Sequence, residues 1–317
     1  MAATALVLLI PIASFAVPVL LIGLVLWLLA RERTDDGGTL ARAARRHELL
    51  VSTLAVLAAA VAAVALLAQP VRWPGWAPAP GVLQALTPFS IAGVFALVRA
   101  LGELTWPRPR GEVRSAPLTR RTIWSLGGAR LKGVLVTGSL LIAGLVATGI
   151  TADATGRAFT TPPVPLPDGG AVGGSSGPYP GWPYGLPMLF GLAIVAVTTW
   201  LALTAITRRR PLAGVPAAHD DAVRRTSSDR LLAAVQLCLG LALAATAWMA
   251  GTAIATHGRS FEANGFIVEN QGLVTLGVVL MVAAAAVAIA SGTVALLALR
   301  SRRVPRSGLP TPQGALA

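Results

Sequence analysis

Residues 231–255 read LLAAVQLCLGLALAATAWMAGTAIA, an uninterrupted run without a charged side chain. A bilayer core about 30 Å thick is crossed by a helix of about 20 apolar residues, so this run predicts a membrane-spanning helix. Of the 317 residues in the chain, 55% are hydrophobic and 12% are charged, whereas soluble proteins carry about 25% charged residues. The composition excludes an ordinary soluble enzyme and predicts an all-α helix bundle in a membrane.

Seven apolar runs are long enough to cross a bilayer. The third run differs from the others because it contains Gln84, Pro88 and Arg99. The first run lacks a preceding basic segment and is longer than the apolar core of a signal peptide, so we expect it to remain as a membrane helix. The predicted spans are Thr4–Ala30, Leu49–Gln69, Gly81–Leu104, Gly133–Thr151, Pro187–Ile206, Leu231–Ala255 and Gly272–Leu299.

Basic residues are divided unevenly between the connections. Twenty-two of the 26 lysines and arginines follow the first, third, fifth and seventh runs. Only Arg72, Arg157 and Arg259 lie in the other connections, and Arg99 lies inside the third run. Because cytoplasmic loops are enriched in Lys and Arg, this division predicts an N-terminus outside and a C-terminus in the cytoplasm of a bacterial plasma membrane.

The formal net charge of +13 would indicate nucleic-acid binding in a soluble protein. Here the basic residues flank apolar runs, so we expect them to face anionic lipid headgroups rather than nucleic acid. The segment 39–50 is expected to form a short, basic helix that runs into the second span and meets such headgroups.

The parts of the chain outside the predicted spans are short. We therefore assign residues 1–303 to a single transmembrane domain. The longest connection, 152–186, is dense in Gly and Pro and is expected to be irregular and packed on the helix ends or mobile. The tail 304–317 has a similar composition and is expected to be disordered.

A weak internal repeat follows the lead run. The segments Gly156–Phe159 and Gly258–Phe261 share the pattern GRxF, and each follows an apolar run that is preceded by an Arg-Arg-Thr triplet. These signatures favour one lead helix followed by three parallel hairpins, an arrangement known in transporters. The alternative is that composition and charge bias alone produce the likeness.

Arg99 and Glu103 form the clearest ionisable pair within a predicted span. They are four residues apart, so they share one face of a helix. Ionisable residues in a membrane helix are candidates for transport or gating because their burial is costly. These two lie near the cytoplasmic surface, where an Arg can extend towards water, so we favour a structural ion pair.

Arg157 and Arg259 are the best candidates on the predicted outer face. An Arg beside an aromatic residue, here Phe159 and Phe261, can hold a phosphate or a carboxylate. Anchoring of the helix ends in the interface is the simpler interpretation. Small residues also recur at fourfold spacing, in stripes that favour close helix packing: Ser139, Ala143, Ala147 and Thr151, and Ala284, Ala288 and Gly292.

Motifs of catalysis and cofactor binding give no support for an enzyme. Residues 173–177 formally match GxSxG, but a nucleophile elbow needs a strand–turn–helix context on an α/β sheet, and this stretch lies in a Gly/Ser-rich connection. His47, His219 and His257 are isolated, and no Walker A or dinucleotide fingerprint occurs, so no metal or cofactor is expected.

Three function classes remain at this point. The first is a non-enzymatic membrane component or accessory subunit that acts with a membrane or cytoplasmic protein partner. The second is a self-sufficient transporter or channel for a small or lipid-like solute. The third is an intramembrane enzyme acting on lipid, for which only Asp153, Asp168 and His257 could serve.

Overall fold

Six long helices make up most of the described chain. The computed structural model describes residues 39–68, 80–105, 121–209, 217–259, 261–263 and 266–299. In these residues the helices are α1 (Thr39–Ala68), α2 (Val82–Leu104), α3 (Ile123–Thr151), α4 (Trp182–Arg208), α5 (Ala217–Gly258) and α6 (Gln271–Leu299). Each is long and apolar enough to cross a membrane. The prediction of a helical membrane bundle is therefore confirmed in this coarse form.

Six of the seven predicted spans correspond to these helices. The first predicted span, Thr4–Ala30, and the tail 304–317 lie outside the described residues. The count of seven spans, the orientation and the tail therefore stay predictions.

Three helices begin well before their apolar runs. Helix α1 begins at Thr39, α3 at Ile123 and α5 at Ala217. The corresponding hydrophobic runs begin later, at Leu49, Gly133 and Leu231. These extensions carry Arg, Ala and Leu, which favour helix without being confined to hydrocarbon. All three extensions lie beside the last turns of α2, α4 and α6. We call this side of the bundle the arginine-rich end, because the arginines of the extensions lie there.

Four helices form the central packing unit. Helix α2 packs against α4 and α5, and α3 packs against the same two helices. Helix α1 packs on α2, while α6 packs on α5. The buried apolar core accordingly draws its residues from α2 to α5, among them Phe89, Leu141, Leu145, Val195, Leu203 and Leu232.

Small residues bring the outer helices close to the centre. The contact between α5 and α6 is the most extensive in the bundle, and a Cβ added to Gly251 would lie 2.7 Å from the carbonyl oxygen of Gly277. Helices α1 and α2 each bury alanines that are four residues apart: Ala55, Ala59 and Ala63, and Ala92, Ala96 and Ala100. Close approach through small residues is the usual way in which membrane helices associate.

One predicted small-residue stripe faces outward. All four residues of the α3 stripe, from Ser139 to Thr151, are exposed, and α3 instead buries Leu141 and Leu145. Only Ala284 of the second stripe is fully buried. Helices that are apolar on every side carry no periodic signal for the buried face, and the small-residue spacing alone chose the wrong face of α3.

The connection between α3 and α4 is more regular than its composition predicts. It contains two antiparallel strand pairs, β1 (Phe159–Thr160) with β4 (Ser175–Ser176) and β2 (Val164–Pro165) with β3 (Ala171–Val172). Strands β1 and β4 contact α5, so the connection is packed on the helix ends, as expected. A third pair, β5 (Phe261–Ala263) with β6 (Phe266–Val268), joins α5 to α6.

Asp153 and Tyr179 hold the two ends of this connection. The Asp153 carboxylate accepts hydrogen bonds from the Thr155 hydroxyl and from the backbone N–H groups of Arg157 and Ala158. Of these, the Thr155 hydrogen bond contributes most to lowering the pKa of Asp153. The hydroxyls of Tyr179 and Thr151 lie 2.6 Å apart, and burial raises the pKa of Tyr179.

The two GRxF segments have comparable local surroundings. Each lies at or after the end of a long helix, α3 or α5, and ends at the Phe that begins a short strand, β1 in one case and β5 in the other. The hairpins nevertheless differ in packing, because α5 contacts α6 extensively whereas α3 and α4 contact each other far less. The repeat stays a prediction.

Candidate functional site

A buried cluster of charged residues lies at the arginine-rich end of the bundle. The short connection between α1 and α2 makes them antiparallel neighbours, so the beginning of α1 lies beside the end of α2. There the Arg99 guanidinium on α2 contacts the Glu48 carboxylate on α1 at 3.0 Å and donates a 2.8 Å hydrogen bond to the Ser52 hydroxyl. Arg99 is 2% exposed.

This contact corrects the predicted pairing of Arg99 with Glu103. The two residues share a helix face as expected, but the ion pair of Arg99 is with Glu48 on the neighbouring helix. Glu103 instead faces Arg209 after α4, with 3.7 Å between Oε2 and Nη1. An i, i+4 spacing permits contact within a helix, whereas here each side chain points to an opposite charge on another element.

Helix α5 reaches the same cluster through Ser227. Its hydroxyl lies 3.0 Å from both oxygens of the Glu48 carboxylate, and Ser227 is fully buried. The carboxylate thus has a guanidinium on one side and a hydroxyl on the other. Hydrogen bonds that satisfy a buried ion are a condition for retaining an ion pair in a low-dielectric interior.

Arg224 of α5 caps the last turn of α4. The final carbonyl groups of a helix lack intrahelical donors. The Arg224 guanidinium, which is fully buried, donates to the carbonyl oxygens of Ile206 at 2.8 Å and Arg209 at 2.6 Å. Its Nε donates to Asp220 at 2.8 Å. A cation at this position also opposes the negative end of the α4 dipole.

Two further arginines join α3 to α5. Arg121 contacts Asp221 at 2.8 Å and Asp220 at 3.6 Å. Arg130 contacts Asp229 at 3.1 Å and donates a 3.5 Å hydrogen bond to the carbonyl of Val294 on α6.

Every carboxylate that the structure describes at this end is therefore paired with an arginine. The five are Glu48, Glu103, Asp220, Asp221 and Asp229. Exposed basic side chains remain at the same end, including those of Arg46, Arg208 and Arg225. The acidic groups thus join helices, and the surface that the described residues form at this end is basic.

Arg157 and Arg259 lie at the opposite end of the bundle. Both residues are exposed, and within the described residues neither side chain makes a hydrogen bond or an ion pair. Phe159 is buried, with its ring centroid 5.5 Å from that of Tyr179 and 5.3 Å from that of His257. Phe159 thus belongs to a small core beneath the connection, not to an interfacial anchor beside Arg157.

The remaining candidates have local hydrogen-bonding partners. His47 Nε2 lies 3.0 Å from the Thr105 hydroxyl, and Asp168 accepts a hydrogen bond from the backbone of Gly170. Asp153 stabilises its own turn, and His257 lies against Thr161 of the α3–α4 connection. In the described part of the chain, no group of three or more His, Cys, Asp and Glu side chains is placed to hold a metal ion.

Compared with known proteins, the chain matches no protein-family model, no curated protein and no solved structure. Inferences about its function therefore depend on its own residues and their geometry.

Sequence reasoning missed Glu48, Ser227, Asp220 and Arg224 as members of the cluster. Glu48 was assigned to a lipid-facing segment, and the others precede the sixth apolar run. A signal for Glu48 was present in the connection length, because a short link between two spans places the start of one beside the end of the next. The α5 residues offered no such signal, since their burial depends on how α5 packs against four other helices.

Proposed function

We propose that this protein is a non-enzymatic plasma-membrane component that acts with a protein partner bound at its arginine-rich end. In this proposal the chain has seven spans, with its N-terminus outside and the arginine-rich end in the cytoplasm. The division of basic residues between the two sides supports that orientation.

The pairing of the carboxylates carries the proposal. All five acidic side chains described at the arginine-rich end are paired with arginines, which leaves the exposed Arg46, Arg208 and Arg225 to face outward. Ion pairs join the helices at this end, and the exposed arginines form a basic surface. Such a surface is complementary in charge to an acidic surface of a partner protein. Anionic lipid headgroups would contact the same residues from the membrane plane.

Purification of the full chain in mild detergent, followed by mass spectrometry of bound proteins, tests the proposal. We expect a partner at stoichiometric amounts with the wild type, and its loss when Arg46, Arg208 and Arg225 are all changed to Gln. Charge complementarity across an interface mainly raises the association rate, and it weakens with salt, so the wild-type complex should also weaken at high ionic strength.

The double variant Arg157→Gln, Arg259→Gln is the matched control, because it removes exposed arginines from the opposite end only. It should retain the partner. A wild-type preparation that holds no protein at stoichiometric amounts would contradict the proposal, as would a partner retained equally by both variants.

A carrier or channel is the second candidate function, favoured by the buried Glu48–Arg99 pair. Ionisable side chains between membrane helices are candidates for solute pathways, and an interhelical ion pair at one end of a bundle could act as a gate. In proteoliposomes with a potassium gradient and a voltage-sensitive dye, the wild type should then show a flux that Arg99→Lys alters. If no protein-dependent flux is seen, the protein is not a carrier or channel for monovalent cations.

A further inference from the structure

A crevice of about 250 Å³ lies at the end of the bundle opposite the arginine-rich end. Three parts of the chain enclose it: the last turn of α5, the first turn of α6, and the strand pairs of the α3–α4 connection. Its volume is slightly below the range of about 300–1,000 Å³ typical of sites for drug-sized ligands. The volume of the crevice therefore fits a small ligand that consists of a single ring.

Hydrogen bonds hold the connection over the end of α5. The Ser176 hydroxyl on β4 donates a 2.6 Å hydrogen bond to the carbonyl of Ala253, and the Thr161 hydroxyl lies 2.8 Å from Nε2 of His257. The His257 ring also packs edge-on against the Phe159 ring. These contacts join two distant parts of the sequence, so the crevice is a product of the tertiary fold.

The lining offers neutral hydrogen-bonding groups. Ser175 and Thr256 line the crevice, and their hydroxyls make no hydrogen bond within the described residues. Asn270 uses its side-chain oxygen to accept from the backbone N–H of Leu273 at the start of α6, which leaves its NH₂ group as a donor. A hydroxyl both donates and accepts, and an amide NH₂ group donates twice.

The charge of the lining argues against an ionic ligand. Glu269 is the only Asp, Glu, Lys or Arg among the described lining residues, so an anion would meet a like charge. Glu269 also accepts a hydrogen bond from the Gln271 side chain. Recognition of an organic cation usually uses the faces of Trp, Tyr or Phe, and the described lining includes none of these.

We propose that this crevice binds a polyhydroxylated ring, either a free hexose or the sugar headgroup of a glycolipid. Ring hydroxyls match the Ser175 and Thr256 hydroxyls and the Asn270 amide, while Glu269 accepts from a further hydroxyl. The apolar side chains of Val164, Val172 and Leu273 contact the C–H faces of the ring. The proposal is independent of the partner assigned to the arginine-rich end.

Binding by the full-length protein in a detergent without a sugar headgroup tests the proposal. Glucose, mannose and galactose are titrated by calorimetry, and nanodiscs of phosphatidylglycerol with or without monoglucosyl diacylglycerol are compared for lipid retention. We expect saturable binding in at least one arm. Hexose binding identifies a free sugar as the ligand, and selective retention of the glycolipid identifies a headgroup.

Thr256→Val and Ser175→Ala each remove one lining hydroxyl and should weaken binding by about tenfold, the effect of one lost hydrogen bond. Thr275→Val is the matched control, because Thr275 lies on α6 and is not among the described lining residues, and its hydroxyl donates to the Gln271 carbonyl. The two variants also guard against a failure of either one to fold. Absence of binding in both arms, or equal binding by both variants and the control, would overturn the proposal.

Discussion

Replacement of Arg99 by Met is expected to lower the free energy of unfolding by about 3–5 kcal/mol. The change keeps much of the side-chain volume but removes the guanidinium that contacts the buried Glu48 carboxylate at 3.0 Å. The carboxylate then keeps the hydrogen bond from the Ser227 hydroxyl and the weaker attraction of other neighbouring arginines. Ser52 on α1 also loses its 2.8 Å hydrogen bond. Unfolding of the full chain in detergent, followed by circular dichroism, measures the loss.

A double-mutant cycle measures the interaction energy between Glu48 and Arg99, apart from the other effects of each substitution. Glu48→Gln should also destabilise, because it leaves the Arg99 charge without its counter-ion. The double variant Glu48→Gln, Arg99→Met should lose less than the sum of the two single changes, since neutral replacement of a buried pair is often tolerated. Residues in contact commonly show coupling of about 0.5–3 kcal/mol. Strictly additive losses would contradict the contact.

Arg225→Met provides the reference for this experiment. Arg225 is exposed on α5 at the same end of the bundle, and surface substitutions usually change stability by no more than about 0.5 kcal/mol. A loss at Arg225 equal to that at Arg99 would mean that removal of any arginine at this end destabilises the protein, irrespective of burial.

Gly251→Leu is the second change with a large expected effect, a loss of about 1–3 kcal/mol. Gly251 on α5 lies against Gly277 on α6, and a Cβ at position 251 would approach the Gly277 carbonyl oxygen to 2.7 Å, Met281 Cγ to 3.0 Å and Leu280 Cβ to 3.1 Å. The opposing atom at closest approach is backbone, so it cannot move aside without shifting the helix. The melting temperature of the variant in detergent measures the stability that is lost when α6 can no longer pack closely on α5.

Gly292→Leu on α6 serves as the comparison, because a Cβ there would meet no atom within 4 Å. This change replaces a residue that costs helix stability with one that favours helix, so the melting temperature should stay the same or rise. Equal losses at the two glycines would show that the helix contact at Gly251 is not the cause.

Sequence reasoning went furthest where the bilayer imposes a simple requirement. Runs such as Leu231–Ala255 predict helices because every backbone polar group in hydrocarbon must be bonded internally, and a single helix meets that demand without help. This argument predicts seven spans, and six of them correspond to helices of the described residues that are able to span a membrane. The extension of α1 back to Thr39 was also expected, since residues 39–48 carry helix-favouring side chains.

The same reasoning was weaker for side-chain partners. It identified Arg99 and Glu103 as ionisable residues within a span but paired them with each other, because within one helix only the i, i+4 neighbour can be inferred. It also assigned the wrong face of α3 to packing, since that helix is apolar on every side and the outward stripe is as rich in small residues as the inward one.

The sequence alone determined that this protein is built from long apolar helices, and it predicts that most of its arginines gather on one side. Both properties are local, because they depend on the length of each run and on the charges next to it. The tertiary structure alone decided that Arg99 contacts Glu48, that Arg224 caps α4, and that the α3–α4 connection encloses a crevice with His257. These contacts join residues between 15 and 96 positions apart, and only the packing of one helix against another brings such residues within hydrogen-bonding distance.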